Sequence, residues 1–137
     1  MTTDHLEAVR TAVHPTELMV TVPVLGAGSV ADAQRLAGQA DYLLLDTAHP
    51  ETGLVGATGI THDWAVSADV VDAVTTPVVL AGGLGPHNVL AAIQSVSPAG
   101  VDSETLTSTQ DDRRRKDLAK VETFIALAKG SAPATAP

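Results

Sequence analysis

Apolar residues recur along this chain in two alternating rhythms, short unbroken runs and helical spacing, as far as residue 130. Leu6, Val9 and Val13 follow the capping-box pair Asp4 and Glu7 at helical intervals, until His14 and Pro15 stop the helix. Residues 18–25 (LMVTVPVL) predict a first strand, and Pro23 removes one ladder donor, which puts it near an edge or the strand's end. Gly26 and Gly28 close that strand. Ser29 with Asp32 marks the next helix start, with Val30, Ala33, Leu36 and Ala37 as its apolar face and Gly38 as its stop. Residues 42–45 predict a buried strand ending at Asp46.

Residues 47–62 carry Pro50, Gly53, Gly56 and Gly59 and are too long for a plain connector, so they predict a binding lid. A helix is expected over 64–74 with Asp63 as its cap. Residues 78–80 predict the third strand, Gly82 and Gly83 its exit, and Pro86 the first residue of a helix bearing Val89, Ile93 and Val96. Residues 100–102 predict a fourth strand. After a polar loop over 103–115, the last helix carries Leu118, Val121, Ile125 and Ala128 on one face and ends at Gly130. One helix followed by four βα units implies parallel strands joined by right-handed crossovers. The expected fold class is α/β: a (βα) repeat making half of a TIM-type (β/α)8 barrel, with four parallel strands and an extra N-terminal helix. Residues 1–130 are expected to form this single half-barrel domain, and residues 131–137 (SAPATAP) a disordered tail.

Composition fits that reading. The 45% apolar content is mostly Ala, Val and Leu with one Trp, one Tyr and one Phe, as in parallel sheets covered by helices. At 137 residues the chain can hold one core but falls short of the roughly 250 residues of a complete barrel. Sixteen acidic against eight basic residues give a net charge of −8, which argues against nucleic acid and anionic membrane partners. The basic run Arg113, Arg114, Arg115 and Lys116 is flanked by Asp111, Asp112 and Asp117 and reads as a solvated loop rim. Without cysteine there are no disulfides, thiolate metal sites or thiol nucleophiles. No apolar run reaches membrane-spanning length, and the first residues lack the apolar core of a secretory signal, so a soluble cytoplasmic protein is expected.

Candidate chemistry gathers where strands empty into loops, the usual place for it in parallel α/β folds. Asp46 would lie at the mouth of a buried strand, where partial desolvation raises a carboxyl toward general-acid use. Gly82 and Gly83 would let backbone N–H groups approach an anion, helped by the dipole of the following helix, with Ser103 donating from the next loop. The five histidines show no paired metal-ligand spacing, so no metal site is expected. His49, three residues beyond Asp46, is the histidine with a case for chemistry.

The succession LLLDT, GATGITHDW, VVLAGGLGPHNV, GVDSET and a final helix opened by Lys116 and Asp117 resembles the C-terminal half of the phosphoribosylanthranilate isomerase family. The resemblance runs from the helix after the family's fourth strand to its eighth helix. It implies an Amadori rearrangement of a phosphorylated sugar-type small molecule in tryptophan biosynthesis, with no cofactor: an acid opens the ribose ring to an iminium and a base removes the C2 proton. It also implies that Asp46 is the general acid, that Gly82 and Gly83 belong to the phosphate-binding loops, and that Gly56 and Gly59 lie beside the substrate. Asp102 and Ser103 match the start of the family's last phosphate loop. Three family features are missing. There is no cysteine base in a KICG-like motif, VDSETLTST stands where VDVSSGVE is usual, and the fifth-strand lysine is absent from LMVTVPVL. The expectation is therefore a truncated enzyme, or one half of a split enzyme awaiting a complementary N-terminal half-barrel chain, that isomerises poorly or not at all alone. The alternative is a non-catalytic half-barrel that pairs with its own copy as a homodimer and binds a phosphorylated metabolite.

Overall fold

The apolar runs pair side by side in the order in which they occur in the sequence. A computed structural model of the chain describes residues 3–48 and 61–130. Helix α1 (Thr3–Val13) leads into β1 (Met19–Val24), α2 (Gly28–Ala37), β2 (Tyr42–Thr47), α3 (Trp64–Ala73), β3 (Val78–Leu80), α4 (Val89–Val96), β4 (Gly100–Val101) and α5 (Leu118–Ala128). The four strands make one parallel sheet in the order β1-β2-β3-β4. Its helices pack neighbour on neighbour, α2 on α3, α3 on α4 and α4 on α5. The lid expected over 47–62 begins later than expected, since Thr47 is the last residue of β2; its residues 49–60, with His49, Gly56 and Gly59, and the expected tail lie outside the described residues.

Strand alternation sorts the two faces of this sheet. Val20, Leu43 and Val78 pair across three strands, as do Val22, Leu45 and Leu80. All six are buried in one cluster with Ala33 and Leu36 of α2, Val70 of α3, Val89, Ala92 and Val96 of α4, and Phe124 of α5. The opposite face holds the row Thr21, Leu44 and Val79, with Thr21 exposed and Leu44 and Val79 only half-buried. One face of the sheet is thus sealed by helices while the other stands open, and Asp46 lies on the open one.

Several local expectations are met by specific contacts. The Asp63 carboxylate accepts from Ala65 N at 2.9 Å, and Asp117 accepts from Ala119 N and Lys120 N, so both acids cap the helices they precede. Pro23 falls one residue before the end of edge strand β1. Elsewhere the chain takes another course. Ser29 does not cap α2; its hydroxyl accepts from Leu25 N at 3.0 Å and lies 3.2 Å from Pro23 O, buried inside the first turn. Pro86 precedes α4 instead of opening it, because residues 86–88 form a turn in which Asn88 Oδ1 accepts from Gly85 N. On α5 the buried side is centred on Phe124, and Leu118 and Ile125 are turned outward, 80% and 46% exposed. On α1 Leu6 is buried but Val9 and Val13 are open, and Arg10 fastens the helix through Gln39 O and Asp41.

Candidate active site

Sheet register sets the candidate groups side by side. Ala81 N donates to Leu45 O and Asp102 N donates to Leu80 O, so Asp46, near the end of β2, stands beside Gly82 and Asp102, which follow β3 and β4. Asp46 belongs to the last residues of β2, not to the loop after it. Its Oδ1 accepts from Thr47 N at 2.7 Å. Burial pushes the carboxyl above its ordinary value; the Thr47 N–H opposes this, and the negative charges of Asp102 and Glu104 add to the rise. A carboxyl held in that way keeps its proton to a higher pH than a solvated one.

Gly82 and Gly83 both take positive φ, 87° and 64°. At Gly82 the need for glycine is also steric. A Cβ there would collide with the Thr47 hydroxyl, lie 2.9 Å from Thr47 N and come within 3.1 Å of Asp46 Oδ1. The β3 exit is therefore pressed directly against the carboxylate. Asn88 ties the rest of this loop, receiving the Gly85 N–H on Oδ1 and donating Nδ2 to Gly83 O.

Ser103 turns its hydroxyl inward, donating to Leu84 O at 2.6 Å, so that proton is not offered to an anion, contrary to the expectation from the sequence. Asp102 N is likewise taken by the sheet. Beyond them a 3-10 turn (Thr105–Thr107) puts Leu106 against Gly85, whose added Cβ would lie 2.8 Å from Leu106 Cβ. Lys116 Nζ donates to Glu104 O at 2.6 Å and reaches the hydroxyls of Thr107 and Ser108, while Lys120 Nζ donates to Ser108 O. The three arginines of the basic run are exposed, as a solvated rim requires, but Lys116 fastens the loop. Among the described residues no three His, Asp or Glu side chains gather into a metal site, and no helix is long and apolar enough to cross a membrane.

One residue at the end of the expected lid, within GATGITHDW, makes contacts that the sequence did not indicate. His62 Nδ1 lies 3.0 Å from Thr47 Oγ1, and its Nε2 lies 2.7 Å from Ser67 Oγ. Burial holds the imidazole below its ordinary value of 6.5, against the weaker pull of the Asp63 carboxylate. A groove of about 350 Å³ runs past this cluster, lined by Leu25, Gly26, Thr47, Thr61 and His62 among others.

The chain as a whole is similar to known proteins. The sequence profile of the family described as N-(5'phosphoribosyl)anthranilate (PRA) isomerase matches residues 7–126. The N-(5'-phosphoribosyl)anthranilate isomerase of Methanocella arvoryzae is 39% identical over 122 residues, covering 89% of this chain and 55% of that protein. The crystal structure of phosphoribosyl anthranilate isomerase from Thermotoga maritima superposes with a TM-score of 0.73 at 30% identity, over 91% of this chain and 57% of its own. A phosphoribosyl anthranilate isomerase in complex with reduced 1-(o-carboxyphenylamino)-1-deoxyribulose 5-phosphate gives a TM-score of 0.70 at 26% identity, over 91% and 55%. The chain spans about half the length of these relatives. A profile match across most of its residues, with a relative of this identity, means that the chain belongs to the phosphoribosylanthranilate isomerase family.

Proposed function

We propose that this chain is half of a TIM-type barrel, residues 1–130, supplying the acid and phosphate side of a site for the Amadori isomerisation of N-(5'-phosphoribosyl)anthranilate. The observation that carries the reading is Asp46, a half-buried carboxyl raised by burial and wedged against a positive-φ glycine loop. Asp46 gives its proton to the ribose ring oxygen as the C1–O bond breaks, leaving an iminium. A base then takes the C2 proton to give an enaminol, which becomes the ketose as C1 gains a proton and the C2 hydroxyl gives one up. The N–H groups of the Gly82-Gly83 loop and of Ser103 face the phosphate, with Asp102 at the start of that last loop. Gly56 and Gly59 border the substrate by family resemblance. No cofactor is required. The base comes from sequence outside these 137 residues, in keeping with the absence of cysteine.

The test is turnover. The chain is mixed with the N-terminal half of the Methanocella arvoryzae relative, and loss of anthranilate fluorescence from fresh substrate is followed. Turnover is expected from the mixture and not from either half alone, and Asp46→Asn in the mixture lowers the rate by about 100-fold or more. A folded mixture without turnover, or turnover indifferent to Asp46→Asn, overturns the reading. The open face of the sheet also favours a second reading, a self-paired, non-catalytic half-barrel that binds a phosphorylated metabolite. Sedimentation of the chain alone separates the two, since self-pairing requires a stable dimer before any partner is added.

A further inference from the structure

Asp46 is held by a neighbour that is itself held. Thr47 offers its backbone N–H to the carboxylate on the open face, while its side chain enters the sealed layer between sheet and helices. There it meets His62 Nδ1, and His62 Nε2 meets the fully buried hydroxyl of Ser67 on α3. A hydroxyl can give or accept a proton, so either neutral tautomer of the imidazole is bonded at both ring nitrogens. Movement of Thr47 toward β3 is blocked by the backbone at Gly82, where even one added carbon would collide with the Thr47 hydroxyl. Thr47 thus stands between an imidazole and a glycine.

We propose that His62 is a positioning residue for Asp46: by bridging Ser67 on α3 to Thr47 on β2, it fixes the backbone N–H that orients the carboxylate. The inference rests on Asp46 being the acid of the proposed reaction, but its geometry concerns the carboxylate itself. The imidazole is a strut between two layers and acts only through Thr47. The charges facing the assembly are Asp63 beside His62, and Asp102 and Glu104 beside Asp46.

The experiment is NMR on the full chain, following the Asp46 carboxyl carbon and the Thr47 amide proton against pH. His62→Phe keeps bulk and burial while removing both hydrogen bonds, and His62→Asn keeps a polar group near the Nδ1 position. In His62→Phe the Asp46 midpoint moves upward, because the N–H that favours the carboxylate is no longer held, and the pH response of the Thr47 amide is lost. In His62→Asn both return to their native values. A folded His62→Phe chain with an unmoved midpoint and a responsive Thr47 amide overturns the proposal. Should that variant not fold, Ser67→Ala removes the far anchor alone: an upward midpoint supports the strut and an unmoved one overturns it. Turnover in the mixed halves keeps the two readings apart. Turnover with an unmoved midpoint leaves the isomerase and removes the strut, whereas a moved midpoint without turnover leaves the strut and removes the chemistry.

Discussion

Asp46 feels opposed influences: loss of solvent, aided by the charges of Asp102 and Glu104, prevails over a short hydrogen bond. Its value in the folded chain therefore lies above the 3.8 of a free carboxyl, so the folded state binds the proton more tightly than the unfolded state. Stability is greatest with Asp46 protonated, declines as pH rises from 3.8 through the folded value, and carries the full penalty only above that value. Asp46→Asn removes that charge and retains an oxygen for the Thr47 N–H. The variant is expected to melt above the parent at pH 7, with the gap narrowing as the pH is lowered toward 3.8. A gap that stays constant between those conditions would mean the charge is not desolvated. The position of Asp46 was legible because a carboxylate directly after three leucines marks where a buried apolar run nears its end. The attachment of His62 was not, since Thr47 and Ser67 lie fifteen residues before it and five after it, at spacings no local rule links.

At the scale of elements, the chain's punctuation carried more information than its apolar stripes. Asp63 and Asp117 announce α3 and α5, and both side chains make the bonds that a helix start lacks. Asp117→Ala is expected to cost about 1 kcal/mol in urea unfolding and Asp117→Asn far less, because the amide oxygen can still accept. Equal losses in the two variants would assign the effect to charge. The stripe on α5 misled because Val121, Phe124, Ile125, Leu127 and Ala128 leave several overlapping faces, and spacing alone does not choose among them. Phe124 decides the choice, since the helix turns its largest apolar side chain inward and leaves Leu118 and Ile125 to solvent. Pro86 misled for another reason. Its fixed φ suits a tight turn as well as a helix start, and Asn88 supplies the side-chain bonds that make the turn.

For the whole molecule, strand number, direction and order followed from alternation of apolar runs with helical spacing. The asymmetry between the two faces of the sheet did not, because neighbouring residues in LLLDT are equally apolar and only the helices distinguish them. That asymmetry is measurable. Leu45, sealed beneath the helices, is expected to cost about 3 kcal/mol on truncation to alanine, and Leu44, on the open face, about 1 kcal/mol or less. Equal costs would mean that something covers the open face in solution, and their dependence on protein concentration would identify it as a second copy. Trp64, half-buried at the start of α3 and two residues from His62, is the chain's single tryptophan. Tryptophan emission, excited selectively over that of Tyr42, consequently arises from one place, the seam where the strut meets the helical layer, so a fluorimeter can observe that seam with no label attached.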